Sequence, residues 1–323
     1  MKRFLSLLLI LFLLPLSAFA APDPQALYVC KSARDFHLRD KPDGRFVESV
    51  PDASTVYILE WPAEEEWVYA SYKGQRGYAK LAWLYQIRSL DPANAPLHNV
   101  PNAVEGMLVL KEQVLIKAGD YEGTLLEAGD TVCGRPDGEG NYIVPVWRSE
   151  LILTSSQADF VPFADPAAAE PGDVIGAFTT FYGDQQGKGK AKEREFNIME
   201  GSVRTNGATV QPGETFSFNA LCYPYSKKNG YQLAPNISKK GTGYGGGICQ
   251  FTTTLYNALL STPLLITEWA VHRYTGVVYA PQLFDAAVGD YSDLAFTNTL
   301  SYPVRLDSTV ENGVINTFIV RAD

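Results

Sequence analysis

Residues 241–260 read GTGYGGGICQFTTTLYNALL, with five glycines in the first seven positions and a cysteine just before a run of helical spacing. Ile248, Thr252, Leu255 and Leu259 fall on one stripe and Pro263 lies just beyond, which predicts a helix over Cys249–Leu260. Working outward, KEREFNIMEGSVRTNG (192–207) places Phe196, Met199 and Val203 at helical spacing and stops at Asn206-Gly207. PGETFSFN (212–219) offers a turn followed by a strand. Downstream, ITEWAVHRYTGVVY (266–279), DLAFTNT (293–299), PVRLDSTV (303–310) and VINTFIVRA (314–322) alternate in polarity. Asn312-Gly313 between the last two runs is a strong hairpin signal. Residues 175–323 therefore read as an α+β domain, two helices on a mostly antiparallel sheet.

The part before it reads as all-β. Over 25–88, FHLRDKPDGRFVESV, STVYILEW and EEWVYASYKGQRGYAKLAWL alternate between turns at Asp43-Gly44 and Lys73-Gly74, predicting a small, strongly bent β-barrel. A Pro/Asn-rich linker, 89–102, leads to a second β domain over 103–162, and the Pro/Ala-rich stretch 161–174 closes this half. Leu38, Arg39, Pro42, Trp67, Val68, Tyr72, Gly74, Gly77, Tyr78 and Leu84 make 25–88 resemble the bacterial SH3-like module, and LLEAGDTV (125–132) makes 103–162 resemble a diverged copy. The resemblance implies a module that tethers a wall enzyme to peptidoglycan or shapes its substrate groove. The triplet Glu64-Glu65-Glu66 at a turn tip reads as solvated surface.

Residues 1–20 carry Lys2-Arg3, an apolar run from Phe4 to Leu16 and the ending Ala18-Phe19-Ala20. That pattern predicts a cleaved export signal, the run being short of the roughly 20 residues of a membrane span. Losing Lys2 and Arg3 takes the formal net charge from −9 to −11. An acidic chain without a basic stripe argues against nucleic acid and anionic membrane as partners. Export permits disulfides, and Cys30, Cys133, Cys222 and Cys249 allow three pairings. No CxxC or HxxxH spacing supports a metal, and no cofactor motif is present: the GK[ST] of a phosphate loop does not follow the glycines.

The chemistry concentrates at Cys249. A thiolate is the reactive form of cysteine, and a helix N-terminus favours an anion. Glycines let backbone N–H groups approach a developing oxyanion, so Gly246, Gly247 and the Cys249 amide are the expected oxyanion hole, with Gln250 beside them. His272 is the histidine in the same domain, on a predicted strand over 269–279; His37 falls in the first barrel and His98 in the linker. Asp285 and Asp293 are the candidates to orient its ring. Arg194 and Asn197 could grip a substrate carboxylate or order the site. The competing reading is a Cys222–Cys249 disulfide around a tight turn.

Residues 176–306 resemble the VanW family, on Arg194 with Asn197-Ile198, PGETFSFN at 212, Gly230-Tyr231, GGGICQ at 245 with TTLYNA, Glu268 with His272, Tyr279, Asp285-Ala286 with Val288, and Asp293-Leu294 with Phe296 and Asn298. The family is named from glycopeptide-resistance clusters, and some members are cysteine L,D-transpeptidases of peptidoglycan. The resemblance implies Cys249 as nucleophile, His272 as base and peptidoglycan stem peptides as substrate. Trp269 replaces the usual arginine, Ala287 the usual threonine and Cys222 an apolar residue. The reading that results is an exported cell-wall acyl-transfer enzyme. Its alternatives are a non-catalytic wall-binding protein and a thiol endopeptidase or carboxypeptidase.

Overall fold

The computed structural model describes residues 23–60, 66–90, 103–182, 191–237, 241–272, 277–281 and 284–323. The expected export signal (1–20) and most of the 89–102 linker lie outside them. Among the described residues no helix is long and apolar enough to cross a membrane.

The C-terminal part is mixed α/β. A four-stranded antiparallel sheet runs in the order Val174–Phe181, Val314–Arg321, Val304–Glu311, Ala208–Val210. The Asn312-Gly313 turn behaves as its sequence asks: both residues have positive φ and Glu311 pairs directly with Val314. Helix α1 (Ala191–Thr205), the short α2 (Phe218–Cys222) and α3 (Ile248–Leu260) complete this part, together with a three-stranded sheet in the order Thr215–Ser217, Ala295–Thr297, Leu265–Glu268.

Helix α3 lies against the strands Val174–Phe181 and Val314–Arg321, and α1 packs on α3. Two glycines set these distances. A Cβ on Gly176 would come within 2.9 Å of the Ala258 carbonyl of α3, and one on Gly201 of α1 within 3.2 Å of the Phe251 ring.

Helix α1 forms where its spacing predicts, but on a different face. Phe196, Met199 and Val203 are exposed, while Arg194, Asn197, Ile198, Gly201, Ser202 and Thr205 are buried. The polar members of the buried face are hydrogen-bonded, as in Ser202 with Ser308 at 2.8 Å and Thr205 to the Gly201 carbonyl at 2.8 Å. A satisfied polar residue is cheap to bury, and a count of apolar residues does not register it.

Neither upstream β unit closes into a barrel. Residues 28–89 form one seven-stranded antiparallel sheet ordered Phe46–Val50, Phe36–Arg39, Gln75–Lys80, Trp67–Tyr72, Thr55–Glu60, Tyr28–Ser32, Leu84–Ser89, and its two outer strands do not pair. Residues 106–162 form a five-stranded sheet and a two-stranded ribbon. The expected barrels are thus open sheets. Alternation determines which residues face inward, but closure depends on hydrogen bonds between the outer strands, which local pattern does not encode.

The upstream sheets are joined to the C-terminal part by shared core. Phe181 and Val314 belong to the cluster centred on Leu108, Val132 and Val144, while Val29, Val104 and Cys133 belong to the cluster around α3.

Candidate active site

Every residue of α3 is buried except Cys249, in its first turn. The helix starts at Gly247, whose φ of 110° is left-handed, and a Cβ there would sit 2.9 Å from the Arg194 carbonyl. One on Gly246 would collide with the carbonyl oxygens of Ala234 and Pro235. The glycines therefore seat this turn tightly against α1 and the strand Leu233–Pro235. Of the amides read as an oxyanion hole, that of Gly246 donates to the Gly243 carbonyl at 3.3 Å. Those of Gly247 and Cys249 have no acceptor among the described residues. No side chain caps the helix.

All four cysteines are free, so the Cys222–Cys249 bridge is not formed. Burial pushes the Cys222 thiol up to about 12, and likewise that of Cys133. The Cys249 thiol, half-buried, points at the Val288 carbonyl at 3.7 Å.

His272 is not on a strand. The strand ends at Glu268, and the chain leaves it irregularly. The His272 amide bonds to Asp285 Oδ2 at 2.8 Å instead of to a neighbouring strand, and the Ala287 amide donates to the Ala270 carbonyl at 2.7 Å. The same Asp285 oxygen meets His272 Nδ1 at 2.6 Å. Asp285 occupies Nδ1, so Nε2 is the ring nitrogen left for Cys249, whose thiol lines the same cavity. Burial alone would lower the pKa of His272, but the bonds and charges of Asp285 and Cys249 outweigh it and push it up to about 10.

Helix α3 also positions Asp285. Asn257 Nδ2 donates to the Phe284 carbonyl at 2.9 Å, the Ala286 amide donates to Thr253 Oγ1 at 3.0 Å, and Thr252 Oγ1 donates to the Ala286 carbonyl at 2.7 Å. Three polar side chains of one helix thus grip the backbone on both sides of a carboxylate that is itself 1 % exposed. The polar letters in TTLYNA are explained by this grip. Asp293, the other candidate, is committed elsewhere: it accepts from Ser217 Oγ and the Asn219 amide at the start of α2.

Cys249 and His272 open onto a cavity of about 310 Å³. Arg194 lines it, buried in the protein wall, and donates to Gln250 Oε1 at 2.5 Å. Burial lowers its pKa, against the charges of Tyr279 and Cys249. Gln250 braces this guanidinium and reaches Thr180 at 3.4 Å. Asn197 does not line the cavity; its amide donates to the carbonyls of Gln232 and Gly246 and accepts from the Gln232 amide, locking the glycine turn to α1.

The sequence reading did not single out Tyr225, Ile237, Tyr244 and Val278 as wall residues. The stretch 223–244 has no periodicity that would have flagged the first three, and Val278 lies in the run 266–279 that reads as a plain alternating strand. Tyr279 was visible in the ordered motif set, and here it lines the cavity with Cys249.

Residues 193–320 match the family model described as VanW like protein. The chain is 33 % identical over 133 residues to the uncharacterized protein YoaR of Bacillus subtilis (strain 168), covering 40 % of this chain and 42 % of that one. It is 34 % identical over 83 residues to the vancomycin B-type resistance protein VanW of Enterococcus faecalis (strain ATCC 700802 / V583), covering 25 % of this chain and 30 % of that one. The chain thus spans less than half the length of these curated relatives. No solved structure matches it. Cys249, His272 and Asp285 all fall within the matched residues, and the part of the chain that holds them, 193–320, is a VanW-like domain.

Proposed function

We propose that this protein is an exported cell-wall enzyme that transfers acyl groups on peptidoglycan stem peptides through a Cys249 thioester, in the manner of an L,D-transpeptidase. The observation that carries this reading is that Cys249, the one residue of α3 that is not buried, lines the same cavity as His272, whose ring Asp285 orients.

In the proposed reaction the thiol proton already resides on His272 Nε2, whose raised pKa keeps the ring protonated at neutral pH, and Cys249 Sγ attacks the carbonyl carbon of a stem residue. Asp285 holds the imidazolium through Nδ1. The free amides of Gly247 and Cys249 are suited to the oxyanion of the tetrahedral intermediate. Collapse breaks the C–N bond, and His272 returns its proton to the departing amine. An incoming amine then attacks the thioester, giving a cross-link and restoring the thiol; attack by water gives a trimmed stem. Arg194 faces the cavity with donors to spare and is suited to a substrate carboxylate. The name of the Enterococcus faecalis relative, a resistance protein against an antibiotic, fits a role at the cell wall.

Incubation with a tetrapeptide muropeptide, followed by intact mass and peptide mapping, tests this. We expect an acyl adduct on Cys249 and joined stems among the products, both lost in Cys249→Ala while its melting temperature stays within a few degrees of wild type. Turnover that survives in Cys249→Ala removes the nucleophile and the reading with it.

A further inference from the structure

The segments on either side of His272 are both held by residues from outside the VanW-like domain. Three residues before it, Trp269 is buried, and the ammonium of Lys31 sits 4.0 Å from its ring centroid. Lys31 belongs to the strand Tyr28–Ser32 of the first sheet, is itself buried, and also bonds Thr55 Oγ1 at 3.1 Å. Trp269 also stacks with Tyr256 of α3, centroids 6.1 Å apart. This tryptophan thus touches both the first sheet and the helix that carries Cys249.

Five residues after His272, the Val277 carbonyl accepts from Arg148 Nε at 3.1 Å and from Nη2 at 2.7 Å. Arg148 sits in the turn joining the strands Asn141–Val146 and Ser149–Thr154 of the second sheet. Its neighbour Trp147 secures that turn by donating Nε1–H to the Phe181 carbonyl at 2.8 Å. Val277, Val278 and Tyr279 line the cavity onto which Cys249 and His272 open.

We propose that the two upstream sheets are working parts of the candidate active site, with Lys31 and Arg148 acting as positioning residues for the segments that flank His272. The proposal rests on reading Cys249 and His272 as a nucleophile–base pair. It assigns to residues 28–162 a task beyond wall attachment: setting the distance between imidazole and thiol. An imidazole displaced by even about 1 Å loses much of its effect on the sulfur.

The test uses the full chain and needs no substrate. Cys249 is alkylated with iodoacetamide across pH 5 to 10 in wild type, Lys31→Met, Arg148→Met, the double variant and His272→Gln, with the other three thiols resolved by peptide mapping. Methionine keeps the length of each side chain and removes its charge and donors. We expect each single variant to slow alkylation at pH 7 by roughly three- to tenfold and to move the pH profile toward that of His272→Gln, with Arg148→Lys recovering part of the rate. A purely structural role would lower the melting temperature and leave the profile unchanged. A wild-type rate and profile in Arg148→Met and Lys31→Met overturns the proposal. If the buried Lys31 variant does not fold, Arg148→Met, altered at a solvent-facing turn, decides alone. Failure of the acyl-transfer reading shows separately, as His272-dependent alkylation without any muropeptide product.

Discussion

His272 is held by the Asp285 carboxylate and lines the same cavity as the Cys249 thiol. Asp285 Oδ2 accepts from both its amide and its Nδ1, so the ring has one orientation and one free nitrogen. A pKa of about 10 in the folded protein, against about 6.5 in an unfolded chain, has a thermodynamic consequence. A raised histidine pKa stabilises the fold fully below pH 6.5, and that contribution is lost as the pH rises toward 10. The stability difference between wild type and His272→Gln, measured by urea unfolding, is therefore expected to be largest below pH 6.5 and to shrink steadily up to pH 10. A difference independent of pH would mean that the Asp285 bond does not hold a proton on the ring. Cysteine, glycine turn and histidine were legible as a set in the sequence. The choice of Asp285 over Asp293 was not, because both lie in similar irregular stretches and only the fold shows which carboxylate is already occupied by α2.

At the level of elements, α3 carries two parts of the site at once. Its first turn presents Cys249, and its Thr252, Thr253 and Asn257 side chains grip the backbone around Asp285. Replacing Thr253 by valine keeps the shape but leaves the buried Ala286 amide unsatisfied, at a cost of about 1–3 kcal/mol. We expect that loss in urea unfolding together with a reduced rate of Cys249 acylation, since Asp285 is the next residue. A full loss of stability with normal acylation would show that the grip does not position the carboxylate. The existence of α1, α3 and the last hairpin followed from period and turn residues. The inward face of α1 did not, because Arg194, Asn197, Ser202 and Thr205 are buried through partners on other elements. The strand expected over 269–279 stops at Glu268 for a related reason: alternation persists there, while the hydrogen bonds go to Asp285 and to Ala287.

Across the whole molecule, the second sheet and the C-terminal sheet share buried side chains. Phe181 is 1 % exposed and Val314 4 %, both within the cluster of residues 108–158. The Cys133 amide donates to Thr179 Oγ1 at 2.8 Å and Asn316 Nδ2 to the Thr131 carbonyl at 3.0 Å across the same contact. A chain beginning at residue 163 would expose those apolar side chains, worth about 1.5–3 kcal/mol each, and break both hydrogen bonds. It is expected to melt well below the full chain, with a broadened transition and binding of an apolar dye. A truncated chain that melts sharply at the full-chain temperature would show that the sheets are energetically independent.

The local features could be read from residue order alone: where helices start and stop, which runs alternate, which turns need glycine, and that one cysteine sits at a helix start behind a glycine cluster. Each depends on residues within a turn or two of one another, so period and residue type suffice. Long-range packing settles the rest: that the β units stay open, which face of α1 turns inward, which aspartate meets His272, that Cys249 stays a free thiol, and that Lys31 and Arg148 reach the segments around the histidine. These depend on groups separated by tens to hundreds of residues, and a polar side chain's place is set by the partner that satisfies it after the chain has folded.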